Sequence, residues 1–337
     1  MRATALHSRA LFAMLVFGMV GLAPFAPAWA QSLDLTVRDY GISIGDSRVT
    51  HGIRLNFADH HLERVDGLNL TLWRGRNPER SRAYGLAVGL AGPELGMLRG
   101  VGVGLAGVGV EDLFGVGLGL VGVGGEVLRG IALGGVGVGS DQLDGIALGG
   151  VGVGSDRLRG IAIGGIGVGS EQLHGIALGG LGVGGQRLRG IAIGGLGVGG
   201  EDLRGLFFGG LGVGGEKLEG IACGLLGVGG ETVSGLLVGG LGVGGDRVRG
   251  VAIGGLGVAG RDVGGLSIGG LAVSAHEHRG LAIAPYCRTR GAQRGASVAL
   301  LNISHELHGV QIGLLNWASN QPWPWRFLPL LNVHRGA

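Results

Sequence analysis

From Gly85 to Gly295 the apolar positions recur with a period of fifteen residues, and a glycine opens every block. Block 130–144 reads GIALGGVGVGSDQLD, with aliphatic side chains at Ile131, Leu133, Val136, Val138 and Leu143. Ile131 and Leu133 alternate about Ala132, and Val136 and Val138 about Gly137, which is the period of a β-strand. The pair Gly134 and Gly135 shifts the phase by one residue between them, as a corner or bulge does. A second bend is expected over 139–142, returning Leu143 to the interior. The same five positions hold Ile191, Ile193, Leu196, Val198 and Leu203 in a later block, and Leu236, Val238, Leu241, Val243 and Val248 in another. Read this way, each block is one coil of a β structure whose five aliphatics point inward. Equivalent side chains would stack at strand spacing, about 4.8 Å. One coil alone buries too little to fold, so neighbouring coils must supply the ladder hydrogen bonds and close the core.

The frame extends beyond the regular region. Blocks open at Gly52 and Gly67, the second lengthened by an insertion around 74–78, and further blocks open at Gly295 and Gly309. This gives about eighteen coils. The outer ones are more polar and more aromatic, as terminal repeats that cap an open core are. The expected organisation is an N-terminal cap and irregular coils over 31–84, a regular solenoid over 85–287, and C-terminal coils over 288–337 with an aromatic cap carrying Trp317, Trp323 and Trp325. Residues 1–30 read as an export signal: Arg2 and Arg9, an apolar run over 10–22, then Ala28-Trp29-Ala30 as the cleavage site. Export to the periplasm, outer membrane or cell surface is therefore expected.

The fold class is all-β, and two architectures fit the period. One is a single-chain β-solenoid. The alternative is an antiparallel outer-membrane β-barrel, because ten residues of strand per block would cross a bilayer. Three features favour the solenoid. Barrel connections alternate between short and long, whereas here every connection is alike. Each connection carries an aliphatic residue, as at Leu143, Leu158 and Leu173, which a solvent hairpin does not need. The central blocks also lack the aromatic girdles of a barrel.

The positions between the inward aliphatics are small: Ala132, Ala147, Ala162, Ala177, Ala192 and Ala222, with Phe207 breaking the row. This row reads as a flat outward face that packs on a second copy, an envelope or surface component, or lipid. The connections carry the charge. Glu126, Asp141, Asp156, Glu171, Glu201, Glu216, Glu231 and Asp246 share one position, and arginines such as Arg159, Arg189 and Arg204 flank it. Like charges stacked at strand spacing repel, and the arginines offset this along a charged edge.

Composition narrows the function. The chain has 81 glycines in 337 residues, and Lys217 is its only lysine. Without Arg2 and Arg9, 25 basic residues face 24 acidic ones, so no basic stripe is available for nucleic acid. No cofactor is expected. The glycine spacings imitate dinucleotide loops, but such a loop occurs once, between strand and helix. The pairs His60-His61 and His276/His278 are not read as a metal site, because His278 takes the core position of Leu143. Cys223 is read in the core position of Leu133, and Cys287 lies more than four coils later, too far for a disulfide. No catalytic constellation is fixed by the spacing, so no enzymatic activity is expected.

Three resemblances bear on this reading. The run Gly-Gly-Val-Gly-Val-Gly-Ser-Asp-Gln-Leu over 134–143 is similar to the calcium-binding nonapeptide of secreted toxins, with two extra residues before the acid; that similarity is the only pointer to a cofactor, calcium. The run 309–316, GVQIGLLN, resembles the repeats of bacterial surface-repeat proteins of the leptospiral type, with Asn302 and Asn316 at the repeated asparagine. The central blocks depart from that pattern, carrying glycine there. This resemblance implies secretion and a surface location. Gly-Ile-Ala-Ile-Gly at 160–164 is also similar to the repeats of trimeric autotransporter heads, which are β-rolls. The sequence thus points to an exported structural or adhesive repeat scaffold of the cell envelope, binding through the Ala/Gly face or the charged edge; the alternative function is that of a barrel channel.

Overall fold

The computed structural model describes residues 32–73 and 78–334. Residues 1–30, read above as an export signal, and 74–77 of the expected insertion lie outside the described residues. The chain is almost all β and forms a parallel β-solenoid of about 18 turns, not a barrel. It divides into two compact units, Met1–Asp156 and Arg157–Ala337.

The first unit opens with an antiparallel hairpin, β1 (Leu33–Val37) and β2 (Tyr40–Ile44), turned at Arg38 and Asp39, both with positive φ. Parallel strands follow: β3 (Val49–Ala58), β4 (Arg64–Trp73), β5 (Arg82–Gly89), β6 (Glu94–Gly104), β7 (Gly107–Gly119), β8 (Gly122–Gly134) and β9 (Gly137–Gly149). A 3-10 turn, Pro78–Arg80, precedes β5. The division between the units falls within β10 (Gly152–Gly164). In the second unit β11 (Gly167–Gly179), β12 (Gly182–Gly194), β13 (Gly197–Gly209), β14 (Gly212–Gly224), β15 (Gly227–Gly239), β16 (Gly242–Gly254), β17 (Gly257–Gly269), β18 (Ala272–Ile283), β19 (Tyr286–Val298) and β20 (Leu301–Ala318) each pair parallel with the next. The last strand, β21 (Phe327–His334), runs antiparallel along β20.

Register follows the period. Leu188 lies beside Leu203, Val183 beside Val198, and Gly190 beside Gly205. The corner expected at the double glycine is present, and it keeps its ladder: Leu196 N–H donates to Leu181 O at 2.6 Å. The other bend is not over 139–142, which continue a strand. It sits at the coil-opening glycine instead. From Gly52 to Gly309 every such glycine has φ between 99° and 156°. A β-carbon at Gly190 would also overlap the carbonyl oxygen of Gly175 in the preceding coil. Only glycine tolerates both the backbone angle and the approach, which is why this residue recurs without exception.

Numbering each coil from its opening glycine as position 1, the interior holds positions 3, 5, 9 and 14. In block 190–204 these are Ala192, Gly194, Val198 and Leu203. The first strand therefore faces opposite to the expectation from hydrophobicity. Ile131, Leu133 and Val136 do not enter the core, and Ala132 does. The reason is space. Where position 3 is glycine, the fit can be measured: a β-carbon on Gly117 would lie 2.9 Å from Leu113 Cδ2 and 3.0 Å from Val123 Cγ1. The Leu and Val of positions 14 and 9 already fill the narrow coil, so the facing wall has room for Ala. Leu237 occupies that wall fully buried, between Ala222 and Ala252, where the nearby position-14 residues are the smaller Val233 and Val248.

Both terminal regions replace this apolar filling with polar side chains. At the N-terminal end Arg54 takes position 3, fully buried. Its guanidinium pairs with Asp59, reaches Asp46 Oδ1 at 3.1 Å, and donates to Asn69 Oδ1 at 3.2 Å. Asn69 and Thr71 in turn donate to Asp59 Oδ2 at 3.0 and 2.8 Å. Burial raises the Asp46 carboxyl, but hydrogen bonds from His61 and from the backbone of His61 and His60, with the charge of Arg54, hold it below its ordinary value. At the C-terminal end Asn302 Nδ2 donates to Asn316 Oδ1 at 2.8 Å, and Gln311 Nε2 donates to Ser304 Oγ at 2.9 Å.

Candidate functional site

Because the core takes Ala, Gly, Val and Leu, the larger aliphatics of positions 2, 4 and 7 are left outside. In the second unit position 7 runs Leu181, Leu196, Leu211, Leu226, Leu241, Leu256 and Leu271, each between 47% and 60% exposed. Position 4 adds Ile163, Ile193, Phe208 and Ile283 as exposed side chains, and position 2 adds a half-buried row that includes Ile176 and Ile191. The first unit carries equivalent rows of its own, with Ile131, Ile146, Leu148, Val136 and Val151 exposed, and Leu90, Leu105 and Leu120 exposed at position 6. Parallel register places each residue directly beside its counterpart in the next coil, so each row is continuous.

The residues expected to form an outward Ala face are interior instead. Ala132, Ala147, Ala162, Ala177, Ala192, Phe207 and Ala222 are all 3% exposed or less. Alternation establishes that two sets of residues face opposite ways but not which set faces in. Assigning the larger aliphatics to the core inverted the phase. Cys223 moves with this correction: it shares the outward position of Leu133 and is half-buried rather than a core residue.

The charged edge is real, and its ion pairs differ from the expected arrangement. The arginines of position 15 bond mainly to acids of positions 13 and 15. Arg204 Nε lies 3.1 Å from Asp202 Oδ1 and 3.5 Å from Glu219 Oε2, and Arg279 lies 2.9 Å from Glu277. The position-12 carboxylates Glu201, Glu216 and Glu231 are exposed. In the first unit the residues just before the opening glycines form a further ladder: Arg99 lies over the rings of Tyr84 and Phe114 at 5.8 and 5.4 Å, and Arg129 over Phe114 at 5.2 Å. Its signal, aromatic and Arg alternating at fifteen-residue spacing, was present in the sequence. Partial burial raises the Glu111 carboxyl on this side, reinforced by Glu79, Glu126 and Asp112.

Reactive side chains are scattered. His278 sits in the leucine position of the core, as its spacing indicated, 1% exposed and with both ring nitrogens lacking a partner. Burial lowers its pKa to about 4. Both cysteines are free, and burial pushes the Cys287 thiol up to about 11. Among the described residues no three His, Cys, Asp or Glu side chains are placed to hold a metal ion. A shallow groove over Arg261, Ser274, His276 and Arg290 marks where the acidic row turns basic. Among the described residues the aliphatic rows recur from coil to coil.

Compared with known proteins, the chain matches no family model, no curated protein and no solved structure.

Proposed function

We propose that the protein is an exported, non-enzymatic repeat scaffold of the bacterial cell envelope, attached through the outward aliphatic rows of its coils. The observation that carries this reading is the unbroken position-7 row, Leu181 to Leu271, half exposed on coil after coil. Isolated exposed leucines are ordinary, but a contiguous apolar strip beyond about 300–600 Å² marks an interaction surface. The leader-like residues 1–30 support export, and the GVQIGLLN-type run supports a surface location. A non-enzymatic role is supported by the distribution of reactive groups, since catalysis needs polar side chains converging on one cleft. His278 and Cys287 are instead separately buried in the core.

The test is cell fractionation combined with substitution. The wild type should sediment with the envelope, and the variant Leu196→Asp/Leu211→Asp/Leu226→Asp should shift to the soluble exported fraction. A cytosolic wild type would refute export. An envelope-bound variant would refute attachment through these rows.

A further inference from the structure

The proposed attachment leaves open what covers the aliphatic rows, and this inference rests on that reading. We infer that the occupant, for the unit Arg157–Ala337, is a lipid surface carrying anionic headgroups.

The chemistry of the face is the first argument. Positions 2, 4 and 7 from Ile161 to Leu271 contain only aliphatics, Phe208 and Cys223, with no hydroxyl, amide or charge. The backbone beneath is committed to the ladder, through the corner included. Protein partners make about one hydrogen bond per 100–200 Å² of interface, and this face offers almost none. Hydrocarbon asks for none.

Register is the second argument. Leu181, Leu196 and Leu211 present one surface repeated at each coil, so a protein docked here could slide by one coil and lose only the contacts of a single coil. A second copy would find many nearly equivalent alignments, because register is weakly specified where successive positions are alike. A fluid surface has no register to satisfy.

Charge complementarity is the third. The rows are bordered through a single glycine by position 15, which holds Arg159, Arg189, Arg204, Arg249 and Arg279, with His174, Glu219, Ser234 and Gly264 between them. Arg159 and Arg189 make no ion pair among the described residues. The acidic position 12, as at Glu201 and Glu216, is set off from that border by an inward leucine. Arg204, Arg249 and Arg279 are paired with the nearby acids Asp202, Glu219, Asp262 and Glu277, which leaves Arg159 and Arg189 on the border to meet headgroups. An aliphatic face bordered by such arginines has the charge order of a helix lying on an anionic membrane, built here from strands.

The experiment uses the full chain without its leader, incubated with vesicles of phosphatidylglycerol and phosphatidylcholine or of phosphatidylcholine alone, followed by flotation and light scattering. Binding to the anionic vesicles is expected, weakened at least tenfold by Leu181→Ser/Leu196→Ser/Leu211→Ser. These side chains point outward, so unchanged circular dichroism should confirm the fold. A second variant, Arg159→Gln/Arg189→Gln, leaves the rows intact and should lose much of the preference for anionic over neutral vesicles. Protein that ignores both vesicle types would overturn the inference, as would a stable oligomer whose assembly needs the same leucines and which vesicles do not dissociate. If the leucines still govern envelope sedimentation while vesicles are ignored, envelope attachment stands and only the lipid assignment fails. If they govern neither, both fall.

Discussion

At the residue scale the narrow core makes position 3 the most discriminating site in each coil. Phe207 fits there because its register neighbours are Ala192 and Ala222. It is fully buried. Phe207→Ala would restore the usual residue but leave a cavity in a backbone already shaped around a ring. A loss of about 3–4 kcal/mol is expected, measurable by urea unfolding; a neutral outcome would mean the coil relaxes onto alanine. His278 makes the opposite kind of misfit. Its pKa falls from 6.5 to about 4 on burial, so the unfolded chain binds the proton more tightly. Its neutral form is compatible with the fold above pH 6.5. As pH drops from 6.5 toward 4, stability is lost progressively, to a total on the order of 3 kcal/mol. His278→Leu supplies the residue that other coils use, so the fall in melting temperature over this window should flatten. An identical acid slope in both proteins would show that another group controls it.

At the element scale the coil is defined by two corners of different origin, and their legibility differed. The double-glycine corner announced itself as a phase shift in the alternation. The corner at the opening glycine was hidden inside a continuous strand, although that glycine was the most regular signal in the chain. Its meaning lies in backbone φ and in the approach of the preceding coil's carbonyl, neither of which composition states. Likewise Val138 and Leu143 were correctly placed inside, while Ile131, Leu133 and Val136 were exchanged with Ala132. Hydrophobicity ranks side chains by their preference for burial, but the cross-section of a fifteen-residue coil decides how many can enter. The candidate face was therefore hidden by the rule that normally finds cores. Two experiments separate period from corner. Deleting all of 190–204 keeps every neighbour in register, so a folded protein with a slightly lower melting temperature is expected. Gly190→Ala removes nothing, yet it forces a side chain into φ of 124° and onto the carbonyl of Gly175. It should cost more than the deletion, because strain and overlap add. The reverse order in thermal melts would show that the corner tolerates a side chain.

At the scale of the whole molecule the remaining question is how a stack of identical coils stops. A parallel ladder leaves a row of unpaired N–H and C=O groups at its last strand, which templates association unless covered. In the second unit β21 lies antiparallel on β20 from Gly309–His334 to Trp317–Phe327, occupying that edge. The interior changes character as the edge approaches: valine at position 9 gives way through Cys287 to Asn302 and Asn316, whose amides bond to each other and to backbone carbonyls. Asn316 donates to Leu328 O at 3.1 Å, so the polar interior and the covering strand are tied together. These substitutions make the last coils specific to the end of the ladder, since an asparagine stacked on valine would lose its partner. Removing residues 319–337 should therefore do two things at once: uncover the edge of β20 and leave the Asn316 amide without Leu328. The truncated chain is expected to form concentration-dependent larger species by light scattering that the full chain does not form under the same conditions. Adding Asn302→Val/Asn316→Val to the truncation should worsen this, because an apolar end then joins an open edge. If the truncated chain keeps the size distribution of the full one, β21 is not what terminates the ladder, and the asparagine pair alone must carry that role.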